Sequence, residues 1–257
     1  MKLASWNVNS IKARQDIVFR WLKETNIDVL MIQELKGLDF PLRDEFEALG
    51  YQISAVPQKT YNGVATLSKK EITLLKDKLP GFEEDEQARY QEMLIGGMRL
   101  INVYAPNGNP VETEKYPYKL KWLECLYTHL KNLRDAQKPF LICGDFNIIP
   151  EERDCYDPNA WKDDALFKLE SREKLRQMLY LGLTDAFRVF NQEDQQYTFW
   201  DYQGGSFPAN KGIRIDHFLV SPALVDQMKS CEIDAVPRGW EKPSDHTPII
   251  LELDDSK

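Results

Sequence analysis

From Lys2 to Val8 apolar and polar side chains alternate, the period of a strand with one covered face, and Ser10 stands where a helix cap is expected. Ile17, Val18, Trp21 and Leu22 then recur at helical spacing, which predicts a helix with one buried stripe. The run Val29-Leu30-Met31-Ile32 is short, partly β-branched and apolar throughout, as in a strand covered on both faces. It stops at Gln33-Glu34. Further strands are predicted at Tyr51 to Val56, Gly63 to Ser68, Met93 to Tyr104 with a turn at Gly96-Gly97, and Pro139 to Cys143. Leu120, Leu123, Leu126, Tyr127, Leu130 and Leu133 step by threes and fours, and a second long helix is predicted from about Ser171 to Leu181, ending at Gly182. Strands return at Tyr197 to Trp200, Arg214 to Val220, Cys231 to Val236 and Pro248 to Leu253.

Many strands with a few long helices between them predict a four-layered α/β sandwich: two mainly antiparallel mixed sheets packed face to face, with helices outside. The sequence carries no internal repeat, low-complexity tract or Gly/Pro/Ser-rich linker, so residues 1–257 are expected to form one domain. Pro80 to Arg89, with Glu83, Glu84, Asp85 and Glu86, reads as an exposed acidic loop.

Composition changes this picture in two respects. With 257 residues and 42% apolar side chains, the chain buries enough surface to fold without metals or disulfides. A net charge of −8 argues against indiscriminate adhesion to a polyanion, so a nucleic-acid partner has to be met by local cations. Such cations occur in Lys115-Tyr116-Pro117-Tyr118-Lys119-Leu120-Lys121-Trp122 and Lys211-Gly212-Ile213-Arg214, although a solvated helix face or loop is the simpler reading of each. Cys125, Cys143, Cys155 and Cys231 form no CxxC pair, and with three histidines a zinc site has few ligands. Reduced thiols in the cytoplasm are expected, with neither export signal nor membrane span.

Candidate chemistry gathers where apolar strands stop. Asn7 and Asn9 follow the first strand, Glu34 the second, and Asp145 and Asn147 the run Phe140-Leu141-Ile142-Cys143, while Ser244-Asp245-His246 precedes the last strand. Any one of these can simply close a turn. Together they provide what phosphodiester hydrolysis needs: a hard cation, a positioned water and assistance to the leaving oxygen. Glu34 is the first choice to hold magnesium, with Asp245 close behind and Asn7 assisting. Asp145 and Asn147 can hold the attacking water and a phosphate oxygen. His246 can be kept protonated by Asp216, and Tyr104 can bond the phosphate or protonate the leaving group. His129 reads as a surface or packing residue. His217 points away from Asp216 by strand alternation, so neither histidine is given a catalytic role.

Seven segments occur in family order: Leu3-Ala4-Ser5-Trp6-Asn7-Val8-Asn9, Ile32-Gln33-Glu34-Leu35-Lys36, Tyr61-Asn62-Gly63-Val64-Ala65, Asn102-Val103-Tyr104-Ala105-Pro106-Asn107, Cys143-Gly144-Asp145-Phe146-Asn147, Gly212-Ile213-Arg214-Ile215-Asp216 and Ser244-Asp245-His246. The chain thereby resembles the exonuclease III family of abasic-site endonucleases, and its wording from Asn210 to Asp216 and from Gly239 to His246 is similar to the bacterial branch. The resemblance implies Glu34 as principal metal ligand, with Asn7, Asp245, Asp145 and Asn147 near a Mg2+ ion that Mn2+ can replace. It implies that Asp145 aligns or deprotonates the water, that Asn147, Tyr104 and Asn107 contact the phosphate, and that His246 pairs with Asp216. Phe199, Trp200 and Ile213 would line an apolar pocket for a flipped, base-less sugar, and Tyr61 would touch the DNA groove. The implied partner is duplex DNA with an abasic site or a 3′ end, met by a monomer. Asn9 stands where some eukaryotic relatives carry aspartate, and Ile213 where some carry tryptophan.

The same motifs serve relatives that cut RNA, phospholipids or inositol phosphates, and a non-catalytic DNA-binding homologue is a further alternative. Tyr104-Ala105-Pro106-Asn107 lacks the second catalytic histidine of the deoxyribonuclease I pattern.

Overall fold

The computed structural model describes residues 1–254, so positions 255–257 of the expected unit lie outside the described residues. The strands are β1 (Lys2–Asn7), β2 (Val29–Gln33), β3 (Gln52–Val56), β4 (Val64–Ser68), β5 (Ile72–Lys76), β6 (Tyr90–Ile95), β7 (Met98–Tyr104), β8 (Phe140–Asp145), β9 (Thr184–Asp185), β10 (Asp216–Val220), β11 (Met228–Ile233) and β12 (Ile249–Leu253). The helices are α1 (Ile11–Thr25), α2 (Arg43–Ala48), α3 (Lys115–Asp135), α4 (Pro158–Trp161), α5 (Leu169–Tyr180), α6 (Ala186–Phe190) and α7 (Pro222–Val225).

The strands form two six-stranded sheets, ordered β11-β12-β1-β2-β4-β3 and β5-β6-β7-β8-β10-β9. Each contains one parallel pair, β1 with β2 and β7 with β8, and is otherwise antiparallel. Three apolar clusters separate four layers. Leu3, Val29 and Met31 of the first sheet meet Met93, Leu100, Leu141 and Cys143 of the second in the central one. Trp6, Leu30 and Ile32 pack outward on Val18, Trp21 and Leu22 of α1 and Phe46 of α2. Ile101, Val103, Phe140 and Ile142 pack outward on Trp122, Leu126 and Leu130 of α3 and Leu175 and Met178 of α5. This is the expected four-layered α/β sandwich. Strands sandwiched between two apolar clusters are covered on both faces, which explains why β2 reads as a continuous apolar run.

Several local expectations are corrected. Ser10 lies at φ 88 and makes no side-chain cap bond; its amide instead donates to the Glu34 carbonyl at 2.8 Å. Tyr197 to Trp200 forms no strand, because Phe199 meets Ile213 and His246 only through single bridges. The strand expected at Cys231 to Val236 is β11, earlier in the chain, followed by a 3-10 turn at Val236–Gly239. β5 went unpredicted because it is an edge strand with Leu74 and Leu75 exposed, so its pattern lacks a buried face. The acidic loop is exposed at Glu83, Glu84 and Glu86, but the buried side chains of Phe82 and Ala88 anchor it.

The two basic stretches are not simply solvated. Arg214 is fully buried, pairing with Asp154 at 2.7 Å and Asp185 at 2.9 Å. Lys119 is 0% exposed inside α3. No helix among the described residues is long and apolar enough to cross a membrane.

Candidate active site

Strand register brings the predicted residues together. β1 and β2 run parallel with Asn7 opposite Gln33, so Asn7 and Glu34 leave the first sheet side by side. β7 and β8 run parallel with Tyr104 opposite Asp145, and β10 begins antiparallel with Asp216 opposite the same Asp145. β12 pairs antiparallel with β1 from Ile249 opposite Ser5, which carries the preceding Ser244-Asp245-His246 past the end of β1. Asn7 then spans the two sheets, its Nδ2 donating to Asp145 Oδ2 at 2.9 Å.

Backbone at this end is held in uncommon conformations. Glu34 at φ 58 and Asn147 at φ 51 both occupy the left-handed region, which asparagine tolerates and glutamate enters at a cost of about 1 kcal/mol. Neighbouring strands impose it: the Glu34 carbonyl accepts from Ser10, and the Leu35 amide donates to Gly63 at 3.1 Å. Gly144 lies at φ 145, and a Cβ there would overlap the carbonyl of Val103. Glycine therefore lets β7 and β8 close together beneath Tyr104 and Asp145.

Two linked groups of side chains fill the cleft. In the first, His246 donates Nδ1–H to Asp216 Oδ2 at 2.8 Å and turns Nε2 towards Asp145 Oδ2 at 3.8 Å. Burial alone would lower the imidazole, but the carboxylates of Asp216 and Asp145 raise it to about 10. Burial pushes the Asp145 carboxyl up to about 7, with His246 pulling down, Asp216 pushing up, and bonds from Asn7 and the Asn147 amide lowering it. A proton acceptor poised near neutrality thus sits beside an imidazolium. Among the described residues Asp216 Oδ1 finds no hydrogen-bond partner although it is buried. Ligand atoms of Asp145, Asp216 and His246 lie within 4.8 Å of one another, a group that could hold a metal ion. A protonated ring has no lone pair to offer, so a metal there requires the ring to lose its proton.

In the second group, Lys36 Nζ lies 2.7 Å from Glu34 Oε2 and donates to Asn9 Oδ1 at 2.6 Å. Asn9 Nδ2 donates to Asp245 Oδ1 at 3.1 Å, so Lys36 and Asn9 link the two carboxylates. The Tyr104 hydroxyl donates to Glu34 Oε1. Burial would raise the Glu34 carboxyl, but Lys36 and Tyr104 overcome it and hold the group below its ordinary range. Burial, Glu34 and Asp145 push the Tyr104 phenol well above its ordinary value, so it remains a neutral O–H donor. Glu34, held ionised, and Asp245, linked to it through Lys36 and Asn9, are oxygen donors of the kind a hard divalent cation takes.

The remaining predicted residues flank these groups. Asn107 Nδ2 donates to Asn147 Oδ1 at 3.2 Å, and Asn147 Nδ2 donates to the Ala105 carbonyl at 2.9 Å. Tyr61, 68% exposed, lines a cleft of about 650 Å³ with Arg89, Tyr104, Asn107 and Lys115. On the other side, Phe199 sets its ring edge-on to His246 at 5.0 Å. Trp200 and Ile213 are closed in, Trp200 against Phe207 at 5.1 Å and Ile213 in a cluster with Ile149, Cys155 and Leu166. Of the three, Phe199 alone is partly open. His217 points away, bonding the Ile148 carbonyl at 2.9 Å, and His129 bonds Glu92 at 2.9 Å beneath α3.

Two residues of the site escaped sequence reasoning. Lys36 stands two residues after Glu34 in Ile32-Gln33-Glu34-Leu35-Lys36, and that spacing is the signal that finds it. Lys119 falls on the same helical stripe as Tyr116, Trp122, Leu123 and Leu126, a periodicity that marks it as buried.

The model of the Endonuclease/Exonuclease/phosphatase family matches residues 4–246. An exodeoxyribonuclease of Bacillus subtilis is 32% identical over 98% of this chain and 98% of its own. Exodeoxyribonuclease III of Haemophilus influenzae is 34% identical over 98% of this chain and all of its own. Among solved structures, a 3′ phosphatase from Neisseria bound to a product DNA hairpin superposes with a TM-score of 0.95 at 36% identity, covering 99% of both chains. An AP endonuclease from Archaeoglobus fulgidus gives a TM-score of 0.93 at 35% identity, again covering 99% of both. The cleft at the shared end of the two sheets is thus that of a nuclease fold, and this chain belongs to the Endonuclease/Exonuclease/phosphatase family, with the exodeoxyribonuclease III and AP endonuclease enzymes as its relatives.

Proposed function

We propose that this chain is a monomeric, single-domain DNA-repair hydrolase that cuts the backbone of duplex DNA 5′ to abasic sites and removes 3′ nucleotides or 3′ blocking groups. The observation that carries the reading is the imidazolium of His246 between Asp216 and Asp145, beside an ionised Glu34. That combination suits an anionic phosphate and an attacking water. It has no use for a covalent nucleophile.

Glu34, with Asp245 and Asn7 and with Asp145 and Asn147 at the edge, would hold Mg2+, for which Mn2+ can substitute. When bound, the ion supplies neutralisation of charge developing on the phosphate. Asp145 takes a proton from the attacking water. The new P–O bond forms in line as the bond to the 3′ oxygen breaks, and that oxygen takes up a proton from solvent water, leaving a 5′-phosphate and a 3′-hydroxyl. Asn147, Asn107 and Tyr104 donate hydrogen bonds to the phosphate oxygens, and His246 adds positive charge beside them. Phe199, backed by Trp200 and Ile213, offers an apolar surface to a sugar lacking its base, while Tyr61 faces the groove.

The deciding experiment uses a labelled duplex with one abasic analogue beside an undamaged control, assayed with magnesium and with chelator, resolving internal incision from 3′ trimming. Magnesium-dependent incision immediately 5′ to the analogue supports the proposal. Preference for RNA or phospholipid in parallel arms would overturn it.

A further inference from the structure

Lys119 lies in the first turns of α3 and is completely buried. Its ammonium donates to three backbone carbonyls: Asn107 at 3.1 Å, Asn147 at 2.6 Å and Ala165 at 3.1 Å. These belong to three separate segments, following β7, following β8 and preceding α5. The chain is shaped around the lysine stem. Gly108 sits at φ 90, and a Cβ there would come within 2.7 Å of Lys119 Cδ and 3.1 Å of Ala165 Cβ. Asn109 ties the same segments again, donating to Asp164 at 3.1 Å and accepting from the Ala165 amide at 3.1 Å. Burial lowers the ammonium to about 7, opposed by the fields of Asp164 and Asp145. Three carbonyl acceptors nevertheless call for all three N–H groups.

A buried cation is costly, and a core needing only packing would place an apolar side chain here. The hydrogen-bond acceptors of the ammonium are loop carbonyls, two of which belong to residues whose side chains bond each other at 3.2 Å. We propose that Lys119 is a positioning residue: its ammonium pins the Asn107 and Asn147 backbones so that both amide side chains face one phosphate. This rests on the phosphodiesterase reading of the site.

The test compares Lys119→Met, close in volume and unable to donate, with Lys119→Gln, which retains two N–H donors. Both are assayed on abasic duplex after thermal melting has established that they are folded at the assay temperature. Lys119→Met should lower kcat on the order of 100-fold, the scale of losing oriented donors, with KM changed less than about threefold, and Lys119→Gln should fall between Met and the natural residue. In an Asn147→Ala background Lys119→Met should cost little further, because the group it positions is gone. Additive losses, or an unchanged kcat in a folded Lys119→Met protein, would overturn the proposal. Amide hydrogen exchange separates this outcome from failure of the functional reading: without any substrate, Lys119→Met should accelerate exchange near Asn107 and Asn147 while β1 and β2 stay protected. Uniform acceleration across the protein, including β1 and β2, would indicate a purely structural lysine and also overturn it.

Discussion

His246 donates its Nδ1–H to Asp216 at 2.8 Å while its other ring nitrogen faces Asp145 at 3.8 Å, so one imidazolium is shared by two carboxylates of different character. Asp216 is the direct partner. Asp145 is raised to about 7 by burial and is free to exchange a proton.

A bell-shaped dependence of turnover on pH follows. The acid limb should fall near pH 7, where Asp145 becomes protonated and stops accepting from water, and the alkaline limb near pH 10, where His246 loses its charge. Asp216→Asn should draw the alkaline limb downward, since it removes the strongest field raising the ring. A profile whose alkaline limb is unmoved by that substitution contradicts the pairing.

The same pair sets a stability dependence. His246 has a folded value of about 10 against 6.5 for the ordinary side chain, so its contribution is complete below pH 6.5 and is lost as pH rises through 10. Asp216→Asn should therefore cost about 3 kcal/mol at mildly acidic pH, with the cost shrinking towards pH 10. Denaturant unfolding across that range measures it.

Glu34→Gln removes the ionised carboxylate while keeping its shape. Magnesium affinity, followed by titration calorimetry, should fall by at least roughly 10-fold, and turnover should fall with it. If both are retained, Glu34 is not the ligand.

Tyr104→Phe deletes an O–H that is a neutral donor throughout the working pH range. kcat should fall on the order of 100-fold, the loss expected for one oriented donor to a developing anion, without new pH dependence. A shifted pH profile would point to proton transfer by Tyr104 instead.

With a net charge of −8, DNA binding has to rely on local cations, and Lys115, which lines the 650 Å³ cleft together with Asn107, is placed to supply one. Lys115→Ala should weaken DNA binding and reduce the slope of log affinity against log salt by about one. An unchanged slope would remove Lys115 from the interface.

The layering of the molecule was legible because buried strands and amphipathic helices write their periods directly into the chain, as Val29-Leu30-Met31-Ile32 and the stripe from Leu120 to Leu133 do. The candidate site was legible for a related reason: Glu34, Asp145 and Asp245 stand where apolar strands end or begin, and the motifs around them carry the resemblance. Elements with little buried surface were not legible. β5 exposes its leucines, and Phe199 and Trp200 are held by single bridges and ring contacts rather than by a strand.

What the sequence by itself determined is the set of local preferences, and hence which residues lie at strand ends. Tertiary structure alone decided which ends meet. Asn7 reaches Asp145 because two sheets pack face to face, and Asp216 reaches His246 because the start of β10 and the segment before β12 lie at the same end of the two facing sheets. It also decided which carbonyls and carboxylates the buried cations Lys119 and Arg214 find as partners. Charge is cheap to place in water and costly to bury, so its role depends on partners that only the fold supplies.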